Sequence, residues 1–252
     1  MQFSLPFEKS ILAEIHARLL ATFGPQRDTW RLDPTSQLVN AMISSKTRDE
    51  VSLRAFRRLM HSYASWDLLV HAAPATVEQI IQPVTFAELK AIQLPRALRM
   101  IAARTGSLDL HFLMDWDEEM AMQWLNGLPG VGAKIAATVL NFSSLRKRTL
   151  AVDTHLLRIG ERLGLLPGGA DYERGYDRFM HRVPDDWTGN TLYEIHWLLK
   201  YLGQSICTHA SPACADCPLQ DICPSCPPSL SGPNPQAPNP QARLSRPQSA
   251  AA

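Results

Sequence analysis

Apolar residues recur at helical spacing along most of this chain. Ile11, Ile15 and Leu19 fall four apart, with Leu12 and Phe23 beside them, which predicts a first helix with one buried stripe. Asp33-Pro34-Thr35-Ser36 offers a helix start, its carboxylate placed to accept from the first free N–H groups, and Leu38, Met42 and Ile43 follow. Val51, Ala55, Phe56 and Leu59 mark a third helix, with Arg54, Arg57 and Arg58 on its other side. Asp115-Trp116-Asp117-Glu118-Glu119 reads as a capped, acidic first turn. Thr191 to Leu202 predicts a further apolar helix that stops at Gly203. No segment alternates as a half-buried strand does. The pattern predicts an all-α fold.

The periodicity ends near Pro224. Beyond it Pro-Asn-Pro-Gln-Ala occurs twice, from Pro233, among few apolar residues. Such a stretch cannot bury enough surface to order itself, so residues 227–252 are expected to form a disordered tail.

With 252 residues the chain has room for one large domain or two small helical lobes. No run of about 18 apolar residues exists, so no membrane span is expected. The first nine residues lack a basic region followed by an apolar stretch, so a signal peptide and an oxidising compartment are not expected either. A net charge of +1 does not announce a nucleic-acid partner. The clusters Arg54/Arg57/Arg58 and Arg146/Lys147/Arg148 are each weak pointers to phosphate, because most such clusters are solvated faces.

All five cysteines lie between Cys207 and Cys226. A secreted disulfide protein spreads its cysteines across the fold; crowding into one segment suggests a local metal site. Cys207-x6-Cys214-x2-Cys217-x5-Cys223 supplies four soft thiolates. Spacing alone leaves an iron–sulfur cluster and a structural zinc ion both open. Cys226 lies outside this pattern and reads as a free thiol in the tail.

Two further strings carry candidate chemistry. Leu128-Pro129-Gly130-Val131-Gly132-Ala133-Lys134 sits between two helical stretches. Its glycines permit a tight turn and leave N–H groups uncovered at a helix start, where a phosphate oxygen can bind without base readout. Ala151-Val152-Asp153-Thr154-His155 follows. A helix over 133–144 would be roughly 18 Å long. The return over 145–152 can span roughly 27 Å, enough to bring Asp153 back to the end where Lys134 sits. Taken singly, Asp153 reads equally as a helix N-cap, Lys134 as a solvated lysine, and the GxG as an ordinary turn.

The three segments together resemble the endonuclease III family of helix-hairpin-helix DNA glycosylases, over roughly Ile11 to Cys223. That resemblance implies a 4Fe–4S cluster on Cys207, Cys214, Cys217 and Cys223. It implies contacts to DNA through Leu128, Gly130, Val131, Gly132 and His155, with Lys134 as nucleophile and Asp153 as a second catalytic residue. It also implies two lobes, a helical barrel over 34–146 and a cluster lobe built from 1–33 and 147–226, with DNA in the cleft between them. The expected activity is base-excision glycosylase plus AP lyase on damaged, oxidised-pyrimidine bases in duplex DNA. A monomer in the cytoplasm, associated with the nucleoid in a bacterium, is expected.

Two positions depart from the family's pattern. Ser44-Ser45-Lys46-Thr47-Arg48-Asp49 carries Lys46 where relatives have a glutamine that enters the space left by the flipped base. Lysine offers donors and no acceptor, so it cannot copy the glutamine's bonds. Thr85 stands where relatives have glycine, ahead of Phe86, which reads as either a DNA wedge or a core residue. Altered or weakened activity on oxidised pyrimidines is the expectation. Adenine-mismatch glycosylases, which lack the lysine, are a competing reading. So are a redox-responsive DNA-binding protein and an electron carrier.

Overall fold

The computed structural model describes residues 6–28 and 31–227, with side chains from Ile11 onward. The tail expectation for 228–252 lies outside the described residues. All regular structure in the described residues is helical. None of these helices is long and apolar enough to cross a membrane. The chain divides into two compact units: one holds the segment up to Arg27 and everything described from Arg148 onward, and the other is Asp28–Lys147.

The second unit contains α2 (Pro34–Ser44), α3 (Asp49–Ser62), α4 (Trp66–Val70), α5 (Pro74–Ile81), α6 (Ala87–Thr105), α7 (Glu118–Asn126) and α8 (Ala133–Phe142). Asp33 starts α2, its carboxylate accepting from Thr35 N (3.0 Å) and Ser36 N (2.9 Å), with Pro34 preset in the first turn. Asp117, rather than Asp115, caps α7, accepting from Met120 N at 2.7 Å. Helix α2 packs on α8, α3 and α6, and α7 packs on α8. Leu38, Ile43, Phe56, Leu94, Leu98, Val139 and Leu140 fill the space between the helices. Each lies on the apolar stripe of its helix, and burying such side chains stabilises by about 1.5–3 kcal/mol each.

The first unit contains α1 (Pro6–Phe23), α9 (Thr154–Arg162), α10 (Tyr172–Arg182) and α11 (Gly189–Ser205). Leu12, Ile15 and Leu19 of α1 are fully buried with Leu156, Ile159, Phe179, Leu192, Ile195 and Leu199. Helix α11 does not stop at Gly203 but runs on to Ser205. Gly203 serves a close approach instead of a cap. A Cβ there would stand 2.8 Å from His155 Nδ1 and 3.0 Å from the Arg158 guanidinium, both on α9.

Candidate functional site

The hairpin follows from where the chain is buried and where it is not. Helix α7 ends at Asn126, and Leu128 and Val131 turn their side chains into the core. Val131 N donates to Leu128 O at 3.1 Å, closing the turn. Gly130 takes the left-handed conformation (φ +77°), and the Gln93 side chain occupies the place a Cβ would need. Gly130 and Gly132 are exposed, and Gly132 precedes α8 without a side-chain cap. The first N–H groups of α8 thus meet no capping side chain, as an anion-binding helix start requires. Leu128 and Val131 are anchors here, and any contact they make with a ligand is through their backbone.

Lys134 is half-buried in the first turn of α8, and its carbonyl accepts from Thr138 Oγ1 at 2.8 Å. A cation acting on it within its own unit is Lys90, to which the sequence reading gave no role. Lys90 is buried at 7% exposure on α6, one turn before the Gln93 that packs on the hairpin. Its ammonium donates to Ile43 O (2.7 Å), Ser45 O (2.6 Å) and Thr47 Oγ1 (3.2 Å). Burial, and then repulsion from Lys134, pull its pKa down to about 8. The signal in the sequence was Lys90-Ala91 standing where relatives carry Lys-Ala, with nothing local to say that the lysine is buried.

That shift has a consequence for stability. An unfolded lysine titrates near 10.4, so between pH 8 and about 10.4 the unfolded chain holds a proton that the folded chain has released. Stability therefore rises with pH through this window, by on the order of 3 kcal/mol from Lys90, and below pH 8 the full cost of the buried charge applies. Urea melts of wild type and Lys90→Met at pH 8 and pH 10 are expected to show a steeper rise for wild type. Parallel pH dependence in the two proteins would contradict the buried-charge account.

The two departures noted above meet in the same unit. Thr85 keeps a negative φ, so it does not need to be glycine; the left-handed residue is Phe86 (φ 59°), next to the equally left-handed Lys46 (φ 55°) across the loops. Thr85 N donates to Thr47 Oγ1 at 3.1 Å, and Lys90 grips that same hydroxyl. Phe86 is 59% exposed, which removes the core reading, and the Lys46 ammonium lies 5.7 Å from its ring centroid.

In the other unit Asp153 is the N-cap of α9. Its Oδ1 accepts from His155 N (2.8 Å) and Leu156 N (3.0 Å). Buried residues 150–152 lead into it, and Ala151 O bonds to the buried His196 Nδ1 at 2.6 Å. The His155 ring bonds to Arg158 through Nδ1 (3.1 Å), and burial pushes its pKa down despite the charge of Asp153. His155 is thus a packed, neutral side chain at neutral pH. Arg158 donates to Gly203 O and Cys207 O within this unit.

The cysteine loop is clamped to α9. Arg162 donates to Cys207 Sγ (3.1 Å), Thr208 O (2.7 Å) and His209 O (3.1 Å), and the Cys223 thiol donates to Arg162 O (3.4 Å). Burial, with Cys207, Cys223 and Cys214 around it, pushes the Cys217 thiol up to about 12. Among the described residues, no three His, Cys, Asp or Glu side chains form a group that could hold a single metal ion. The donors nevertheless suit anionic sulfur: the Arg162 guanidinium faces Cys207, and the N–H groups of Leu219, Ser225 and Cys226 face Cys217 and Cys223. Cys226 is not a tail thiol. It is buried, its N–H bonds to Cys223 O at 3.0 Å, and its thiol faces Pro227 O at 3.9 Å.

Residues 39–185 match the family model of the HhH-GPD superfamily base excision DNA repair proteins. The chain is 32% identical over 189 residues to endonuclease III-like protein 1 of Gallus gallus, covering 75% of this chain and 63% of that protein. It is 29% identical over 191 residues to endonuclease III of Thermotoga maritima, covering 76% and 83%. It therefore spans less than two thirds of the chicken protein. Among solved structures, a trapped endonuclease III–DNA covalent intermediate superposes with a TM-score of 0.72 at 21% identity, covering 86% of this chain and 96% of that one. A thermostable thymine-DNA glycosylase superposes with a TM-score of 0.68 at 18% identity, covering 86% and 95%.

Proposed function

Because this chain belongs to the HhH-GPD superfamily of base excision DNA repair proteins and is endonuclease III-like, we propose that it is a DNA glycosylase with AP-lyase activity on damaged bases and abasic sites in duplex DNA. The observation that carries this reading is the seating of Lys134 in the first turn of α8, directly behind the exposed glycines of the hairpin. A phosphate held by the N–H groups at that helix start brings a deoxyribose to the amine without any base being read.

The damaged nucleotide leaves the stack. Exposed Phe86, with Lys46 beside it, is suited to enter the gap. The neutral amine of Lys134 attacks C1′; the bond from C1′ to the base breaks, and the base departs with its electron pair and takes a proton. A carboxylate such as that of Asp153 is suited to stabilise positive charge developing on the sugar. Ring opening gives an imine between C1′ and Lys134. Loss of a proton from C2′ then expels the 3′ phosphate, and water hydrolyses the imine. Cys207, Cys214, Cys217 and Cys223 are the residues that would hold a 4Fe–4S cluster. When bound, it would cross-link the loop that α9 carries and add no bond to the substrate. The protein would act as a monomer in the compartment that holds the DNA, the cytoplasm in a bacterium.

Duplexes bearing one thymine glycol or one abasic site test the reading. Released base together with a nick 3′ to the lesion is the expected product, slower on thymine glycol than for typical relatives because Lys46 offers the orphan base no acceptor. Base release that leaves the strand intact would overturn the lyase assignment.

A further inference from the structure

Two exposed loop tips stand side by side in a backbone conformation that only glycine adopts freely. Lys46 (φ 55°) and Phe86 (φ 59°) are both left-handed, and the Lys46 ammonium lies 5.7 Å from the Phe86 ring centroid. A non-glycine residue keeps such a conformation only where its surroundings hold it there. We propose that Lys90 is the positioning residue that holds both tips, setting Lys46 and Phe86 in the arrangement that enters the DNA stack. This rests on the reading of Phe86 as the residue that fills the gap left by the damaged nucleotide, and adds what keeps it poised to do so.

The bonds around each tip lead back to Lys90. Its ammonium has three donors and gives them to Ile43 O (2.7 Å), Ser45 O (2.6 Å) and Thr47 Oγ1 (3.2 Å). The two carbonyls lie at the end of α2, where the helix dipole favours a cation. Ser45 and Thr47 are the neighbours of Lys46 on either side, so one buried charge bridges the left-handed residue. Thr47 Oγ1 also accepts from the N–H of Thr85, the residue before Phe86, at 3.1 Å. On the other side of Phe86, its carbonyl accepts from Lys90 N at 3.0 Å, the first bond of a helix that has no side-chain cap. Lys90 and Thr47 therefore flank both tips and join two loops far apart in the chain.

Packing alone does not call for a lysine here. Lys90 is 7% exposed, and a methionine of similar length would fill the space without a buried charge. One turn farther along α6, Gln93 packs under Gly130 of the hairpin. The same helix thus ties the two tips to the segment that leads into Lys134.

Fluorescence of 2-aminopurine placed opposite a tetrahydrofuran abasic analogue in a duplex reports disturbance of the stack on binding, with no chemistry at Lys134. Its amplitude at saturating full-length protein, well below the melting temperature, does not follow stability alone. Wild type is expected to give a clear rise. Phe86→Ala and Lys90→Met should each give less than about a third of that rise, and the double variant should fall no lower than Phe86→Ala, because Lys90 acts through the tip. Thr47→Ser keeps the shared hydroxyl and should keep the amplitude, whereas Thr47→Val should lose about half of it. Lys90→Met with the wild-type amplitude, or a double variant lowered by the product of the two single effects, would overturn the proposal. If Lys90→Met does not fold, Thr47→Val takes its place, and an amplitude equal to that of Thr47→Ser overturns it. Phe86→Ala with the wild-type amplitude refutes the wedge reading and this proposal together, leaving the assignment of Lys134 standing. Wild type that binds the duplex without a rise does the same, and wild type that does not bind it overturns the glycosylase reading as well.

Discussion

Lys134→Ala will abolish strand cleavage at abasic sites, lowering the single-turnover rate by roughly four orders of magnitude or more, as loss of a covalent nucleophile does. The substitution leaves the surrounding structure in place. Lys134 is half-buried in the first turn of α8, where alanine is a strong helix former. The hairpin is held by Leu128, Val131 and the Gly130–Gln93 contact, none of which involves the lysine side chain. Removing a repulsive neighbour of the buried Lys90 offsets any lost packing. The thermal midpoint should therefore stay close to wild type, within a change of about 0.5 kcal/mol. Binding to undamaged duplex should fall only slightly, since one cation of the interface is lost. A Lys134→Ala protein that still nicks abasic DNA at the wild-type rate would remove Lys134 from the chemistry.

Asp153 carries two roles that substitution can separate. As N-cap of α9 it satisfies the N–H groups of His155 and Leu156. Asparagine caps nearly as well as aspartate, whereas alanine costs about 1 kcal/mol. Asp153→Asn should therefore keep the melting temperature of wild type, and Asp153→Ala should lose about 2–4 °C. Catalysis should not follow this ranking. Both substitutions remove the negative charge, and both should slow base release by roughly 10²–10⁴-fold. Circular-dichroism melts and single-turnover base release on the same preparations make the comparison. An Asp153→Asn protein as fast as wild type would reduce Asp153 to a cap.

The helices that the sequence exposed are those with a wide apolar stripe or a capping side chain. Asp33 at α2, the Val51–Leu59 stripe of α3 and the buried face of α1 all follow local rules. The departures come from long-range packing, which local rules do not contain. Gly203 looked like a stop signal, but helix α11 continues because only a glycine lets His155 and Arg158 approach. Thr85 stood where relatives have glycine, a restriction on the backbone, but the left-handed conformation is at Phe86. Lys90 was assigned no role, and its burial beneath the 43–47 carbonyls and hydroxyl depends on segments distant in the chain meeting. Cys226 lay outside the recognised spacing, and the turn that bonds its N–H to Cys223 O is a contact local rules do not foretell. In the candidate site, Lys134 and Asp153 were legible because each sits at a helix start that the sequence marks with glycine or with the aspartate itself.

The most direct test of the central claim is borohydride reduction of wild type mixed with duplex containing one abasic site, followed by peptide mapping of the adduct. An imine between protein and sugar would be fixed as a stable amine. The expected result is one covalent complex per chain with the sugar remnant on Lys134. Strand-cleaving protein that yields no adduct, or an adduct mapped to another amine such as Lys90 or Lys46, would contradict it.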